Sequence, residues 1–84
     1  MSQKDKLIAK LKTKPKDFTY QELIKLLAGL GYREAKAGKT GGSRRRFVHD
    51  HAATIVLHKP HPGNILKRYQ VEQVLKTLTE EGLL

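Results

Sequence analysis

Apolar side chains recur at helical spacing in three stretches of the chain. The clearest stretch predicts a helix over Tyr20–Leu30, with apolar residues at positions 23, 24, 27 and 30. Thr19 and Glu22 have the spacing of a capping box at its start, and Gly31 supplies the left-handed residue that commonly follows a helix. This segment is therefore predicted to form one of the two helices that build the core.

The other two predicted helices lie near the ends of the chain. Apolar positions 7, 8 and 11 predict a short N-terminal helix that ends before Pro15, because the residue ahead of a proline disfavours the helical conformation. A last helix is predicted from about Lys67 to Glu80, with apolar residues at 71, 74, 75 and 78 and Gly82 after its end. Tyr69 is expected to pack in the core or as a helix staple, with stacking on a base as the alternative.

Between the helices the pattern changes to alternation, which is typical of strands. The predicted strands are Tyr32–Lys36, Arg44–His49 and Thr54–His58, separated by a glycine-rich turn at 37–43 and a short turn at 50–53. The element order predicts an α+β fold, an α-β-β-β-α unit with an extra N-terminal helix. In this fold a three-stranded antiparallel sheet has helices on one face and leaves the other face open.

Composition narrows the class of protein. The chain has 84 residues, which suits one domain, and it has no cysteine, which excludes disulfide scaffolds, cysteine-based metal sites and thiol nucleophiles. No apolar run approaches the length of a membrane helix, and the N-terminal stretch lacks the apolar region of a signal peptide. We therefore expect a cytoplasmic protein that does not act at a membrane.

Charge is the most informative property of the sequence. Seventeen Lys and Arg against eight Asp and Glu give a net charge of +9. Met1–Lys16 carries six lysines and one aspartate, and Arg33–Arg68 carries nine cations and two acids, so the basic residues form two blocks. Such an excess predicts a polyanionic partner, most simply nucleic acid, bound along a single cationic flank of the fold.

Several basic residues are candidates for that flank. Alternation places Arg44 and Arg46 on the open sheet face, and Arg45 on the side of Phe47, at the strand edge or reaching past the core. Guanidinium groups grip phosphate in a bidentate manner, although a solvated strand edge is the alternative for this run. The other candidate nucleic-acid contacts are Lys39 and Ser43 in the glycine-rich turn, Lys59 after the third strand, and Lys67 and Arg68 at the start of the last helix.

Five short motifs occur in an order that resembles a known family. They are Phe18–Leu23, Leu30–Tyr32, Gly41–Arg44, His58–Gly63 and Leu66–Val71. Together they resemble the HicA family, the small toxins of bacterial type II toxin–antitoxin pairs, and the architecture is similar to a double-stranded RNA-binding domain. The resemblance covers residues 17–84 as a HicA-like domain and leaves residues 1–16 as an N-terminal helical extension. It implies a ribonuclease that cuts mRNA and is neutralised by a HicB-type antitoxin.

The sequence departs from the family pattern at one position that matters for catalysis. The family usually has a catalytic histidine directly after Gly-Ser, and here that position is Arg44. Metal-free RNA cleavage needs a base for the 2′-hydroxyl and an acid for the departing 5′-oxygen, and histidine suits both roles. We therefore predict that His58 and His61, with Lys59 between them, are the catalytic residues.

Alternative functions follow from the same residues. The chain could be a non-catalytic RNA-binding module, because Arg44 replaces the usual histidine, or an interaction domain that docks an acidic partner. His49 and His51 are expected to be solvated turn residues. No metal or cofactor is predicted, since cysteine ligands and a His-Glu-x-x-His helix are missing.

Overall fold

The computed structural model describes residues 3–35, 44–60 and 63–84. Its elements are α1 (Gln3–Lys12), α2 (Tyr20–Gly29), β1 (Arg33–Ala35), β2 (Arg44–Val48), β3 (Ile55–His58) and α3 (Arg68–Glu80). The strands form one antiparallel sheet in the order β1-β2-β3. The predicted α+β fold is confirmed, whereas its likeness to a double-stranded RNA-binding domain stays a prediction. Within the described ranges, no helix is long and apolar enough to cross a membrane.

The two faces of the sheet differ in composition, as the alternation predicts. Phe47, Ile55 and Leu57 point to one face and are buried in the same core cluster as the apolar stripes of α2 and α3. Arg46 and Val56, which are paired across β2 and β3, lie on the opposite face and are exposed. Helices therefore cover one face of the sheet and leave the other face open.

Local signals set both ends of α2. The Thr19 hydroxyl accepts a hydrogen bond from the Glu22 backbone N–H at 3.1 Å, and the Glu22 carboxylate accepts from the Thr19 N–H at 3.0 Å. Gly31 adopts φ of +98° just after the helix, a conformation that favours glycine. A Cβ at Gly31 would also lie 2.8 Å from Nε2 of His49, so both space and backbone require glycine there.

Helix α1 packs on the helical layer and not on the sheet. Leu7 and Leu11 are buried, and the Lys10 ammonium lies 3.0 Å from the Glu22 carboxylate at the start of α2. The aliphatic part of Lys4 lies against Gly29 at the other end of α2, so α1 runs antiparallel to α2. The lysines of α1 therefore lie on the helical side of the molecule, and the prediction of a single cationic flank is wrong for this block.

Candidate nucleic-acid interface

The open sheet face carries the exposed cations that alternation predicts. Arg44 and Arg46 are both exposed on β2, and within the described ranges neither side chain forms an ion pair. Val56 is 37% exposed beside Arg46, which gives the face an apolar patch next to the charges. Arg33 on β1 is partly neutralised, because its guanidinium lies 3.2 Å from the Asp50 carboxylate. The free charge is therefore concentrated on β2.

His58 lies directly across the sheet from Arg44. The two residues are register partners in the antiparallel pair of β2 and β3, so both side chains project from the open face. The His58 carbonyl accepts a hydrogen bond from the Gln70 side chain at 2.8 Å and thus points away from β2. This orientation is that of a non-hydrogen-bonded antiparallel pair, in which the facing side chains are closest. A guanidinium and an imidazole therefore share one end of the sheet.

The chain is held firmly where it leaves β3. The ammonium of Lys59 lies 5.8 Å from the centre of the Tyr20 ring, within the range of a cation–π contact, and Pro60 is buried. Further along, Asn64 accepts a hydrogen bond from the Tyr20 N–H at 2.6 Å, and Leu66 donates to the Phe18 carbonyl at 2.8 Å. Lys59, Asn64 and Leu66 thus contact residues at the start of α2 through side-chain and backbone groups.

Arg45 belongs to the helix side of the sheet, as predicted. Its side chain is 25% exposed, and its Nε lies 3.4 Å from the Glu34 carboxylate on β1. Burial raises the pKa of the neighbouring Tyr20 phenol; Glu34 raises this pKa further, whereas Arg45 lowers it. The charge of Arg45 is therefore engaged within the fold, in contrast to the charges of Arg44 and Arg46 on either side of it.

His49 is a structural residue, which corrects the expectation of a solvated turn residue. Its Nδ1 accepts a hydrogen bond from the His51 backbone N–H at 2.9 Å, and its Nε2 lies 3.0 Å from the Leu30 carbonyl. Because a backbone N–H only donates and a carbonyl only accepts, the tautomer that fits both contacts has a bare Nδ1 and a proton on Nε2. The ring edge also packs against Tyr32, with ring centroids 4.9 Å apart. Both nitrogens of His49 are thus used by the fold, whereas His51 is exposed as expected.

The start of α3 adds further cations to this end of the molecule. Lys67 and Arg68 are exposed, although Arg68 Nε lies 2.9 Å from the Glu72 carboxylate, which offsets part of its charge. Tyr69 is 59% exposed, so the expectation that it packs in the core is wrong. The reason is its place on the helix, since the buried stripe runs along Gln70, Val71, Val74 and Leu78. The ring of Tyr69 is therefore accessible, as base stacking would require.

Gln70 is a residue near the site that the sequence pattern does not indicate. It is 4% exposed, which makes it the only buried polar residue in the part of the chain that the structure describes. Its position three residues after Lys67 is the one feature of the sequence that hints at a role. In a capping box, the side chain at this position accepts a hydrogen bond from the backbone N–H of the N-cap residue, as Gln70 does here. Nothing in the sequence shows that the same side chain reaches His58.

Three predicted site residues fall outside the described ranges, namely Lys39, Ser43 and His61. Among the residues that the structure does describe, no group of three or more His, Cys, Asp or Glu side chains is arranged to hold a metal ion. The described open-face interface therefore consists of Arg44, Arg46 and His58. Lys59 turns its ammonium toward Tyr20 on the helix side, and Lys67 and Arg68 are exposed at the start of α3.

One comparison with known proteins gives a match. The model of a protein family described as "HicA toxin of bacterial toxin-antitoxin" matches residues 20–79, which is well over half of the chain. The curated proteins give no significant match, and the solved structures give none. The matched region runs from the first residue of α2 almost to the end of α3, so it contains the sheet and its open face.

Proposed function

The chain belongs to the HicA family of toxins from bacterial toxin–antitoxin systems, and from this premise we propose that it is a metal-independent endoribonuclease acting on mRNA. The observation that carries the proposal is the pairing of Arg44 with His58 on the open sheet face. An exposed cation beside an exposed imidazole supplies two of the groups that phosphodiester cleavage uses: a charge for the phosphoryl oxygens and a group that takes up a proton.

The two side chains divide the chemistry in a defined way. Arg44 occupies the position of the usual family histidine but cannot act as a base, because a guanidinium keeps its proton at any physiological pH. In our proposal, His58 removes the proton from the 2′-hydroxyl, and that oxygen attacks the adjacent phosphorus. Arg44 stabilises the negative charge that develops on the phosphoryl oxygens. His61, proposed from the sequence, protonates the departing 5′-oxygen.

The remaining cations are proposed to hold the RNA backbone. Arg46 continues the row of charge along β2, and Lys59 follows His58 directly. Lys67 and Arg68 at the start of α3 would extend the contact, and Lys39 and Ser43 are proposed from the sequence as further phosphate ligands. The exposed Tyr69 ring offers a stacking surface beside these cations.

The family also implies a protein partner. We propose that a HicB-type antitoxin covers the open face and blocks access to His58, since one acidic surface could neutralise both Arg44 and Arg46. The protein would then act in the cytoplasm, where mRNA is available. In this proposal residues 17–84 form the HicA-like domain, and residues 1–16 form an extension whose helix, α1, packs on the helical side of that domain.

A second function is supported by one observation. Arg44 stands where the family usually has its histidine, and a protein without that group could bind RNA on the same face without cutting it. This non-catalytic RNA-binding module would show affinity that falls steeply with salt and no strand scission.

One experiment separates the two functions. A labelled single-stranded RNA is incubated with the protein in the presence of a metal chelator, and the products are examined for 2′,3′-cyclic phosphate ends. The proposal predicts cleavage by the wild type and a loss of roughly 100-fold or more for His58→Ala, with RNA affinity retained. His51→Ala is the matched control, because His51 is an exposed histidine in the β2–β3 turn and not on β3.

Each result has a clear consequence. Binding without cleavage by the wild type would establish the non-catalytic module. Cleavage by His58→Ala at the wild-type rate would show that another group carries the reaction. Equal losses in His51→Ala and His58→Ala would show that the site is assigned to the wrong residue.

A further inference from the structure

Gln70 links the start of α3 to the end of β3. Its amide nitrogen donates to the His58 carbonyl at 2.8 Å, and its amide oxygen accepts from the Lys67 backbone N–H at 3.0 Å. Gln70 is 4% exposed, so its own end of each hydrogen bond is shielded from water, whereas His58 and Lys67 lie at the surface. Shielding strengthens such bonds and makes their loss costly.

The bond to His58 falls where the strand is least restrained by the sheet. His58 is the last residue of β3, its carbonyl points away from β2, and β3 lies at the edge of the sheet. Strand ends fray unless their backbone groups find partners. Gln70 supplies a partner for the His58 carbonyl, and by restraining the peptide plane after His58 it restrains the backbone from which the imidazole projects.

From this geometry we infer that Gln70 is a positioning residue for His58, holding the imidazole beside Arg44 through the backbone carbonyl. The inference rests on the proposed ribonuclease function and adds a residue from a different element to its site. Displacement of a reacting group by about 1 Å can lower a rate by roughly 100-fold, so a side chain that only orients His58 has a large expected effect. Because Gln70 is buried, it would act without touching the RNA.

Two substitutions separate positioning from helix capping. Gln70→Glu keeps an oxygen that accepts from Lys67 but removes the donor to His58, whereas Gln70→Met removes both hydrogen bonds at similar volume. Gln73→Glu is the matched control, because Gln73 is exposed on the same helix and lines the same groove between β3 and α3. It places the same new charge one turn away from Gln70.

We expect Gln70→Glu to lower kcat by roughly 10- to 100-fold with little change in KM, and Gln73→Glu to cleave as the wild type does. In NMR spectra, the His58 ring signals and the Lys59 backbone amide should shift in both Gln70 variants and stay in place in Gln73→Glu. Thermal unfolding shows whether each variant is folded. If the carboxylate of Gln70→Glu prevents folding, the rate and the NMR shifts are measured on Gln70→Met instead.

Three results would overturn the inference. The first two are a folded Gln70 variant with wild-type kcat and His58 signals that do not move. A fall in kcat that Gln73→Glu shares would also overturn it, because the added charge would then explain the loss. Failure of the wild type to cleave RNA would instead refute the proposed function. In that case the NMR signals alone decide whether Gln70 orients His58.

Discussion

Removing the two open-face arginines should weaken RNA binding in a way that depends on salt. The variant is Arg44→Gln with Arg46→Gln, and the matched control is Arg45→Gln. All three residues are neighbours on β2, but Arg45 is 25% exposed and paired with Glu34, whereas Arg44 and Arg46 are exposed without an ion pair in the described residues. The comparison thus changes charge on one face of the strand and then on the other.

The magnitude follows from the number of phosphates contacted. Each contact with a single strand contributes about 0.7 to the slope of log K against log salt concentration, so the loss of two contacts should make the slope shallower by about 1.4. Arg45→Gln should leave the slope unchanged. It should cost at most about 1 kcal/mol of stability, because a partly exposed ion pair contributes little.

The assay is fluorescence anisotropy with a labelled 2′-O-methyl RNA, which lacks the attacking hydroxyl and therefore stays intact. Affinities are measured over roughly 50 to 300 mM salt, where counterion release dominates the salt dependence. A wild-type slope in the double variant would refute the assignment of the open face. So would an equal change in Arg45→Gln, which would mean that charge on either side of β2 serves equally well.

Three further predictions concern stability, measured by urea unfolding. Gly31→Ala should lower the free energy of unfolding by about 1–2 kcal/mol or more, because φ of +98° and the 2.8 Å approach to His49 Nε2 both oppose a Cβ. Unchanged stability of this variant would contradict the prediction. Thr19→Ala should cost about 1 kcal/mol through loss of the capping box, and a loss near zero would show that α2 does not need it. Burial raises the Glu22 pKa, but hydrogen bonds from Thr19 and Lys10 outweigh it, so the pKa is held below 4.5. The stability that ionised Glu22 contributes is therefore present above pH 4.5 and is lost as the pH falls through the lowered pKa. Glu22→Gln should make the free energy of unfolding less dependent on pH in this acidic range, and an unchanged dependence would refute the prediction.

Most of the fold could be predicted because its signals are local. The capping box of Thr19 and Glu22 and the left-handed Gly31 depend on residues within a few positions of each other, and the structure confirms them. The alternation around Phe47 likewise placed Arg44 and Arg46 on the open face without any knowledge of the partner strands. A period of two fixes which face a side chain takes once one apolar residue is assigned to the core.

The predictions failed where a residue's role depends on distant contacts. His49 looked like a turn residue, but Leu30 and Tyr32 come from 17 or more positions earlier in the chain and hold its ring. Tyr69 looked like a core residue because it is large and apolar, yet one step around α3 places it in solvent while the polar Gln70 is buried.

The elements, the face of each strand and the excess of positive charge follow from spacing and composition along the chain alone. The division of that charge between the two sides of the molecule depends on tertiary packing. Tertiary packing places the lysines of α1 on the helical side of the molecule, pairs Arg45 with Glu34, and sets Arg44 opposite His58. Strand register and helix docking bring together residues far apart in the chain, and burial of apolar surface in the whole molecule selects those pairings. The candidate site therefore exists only after the core has formed.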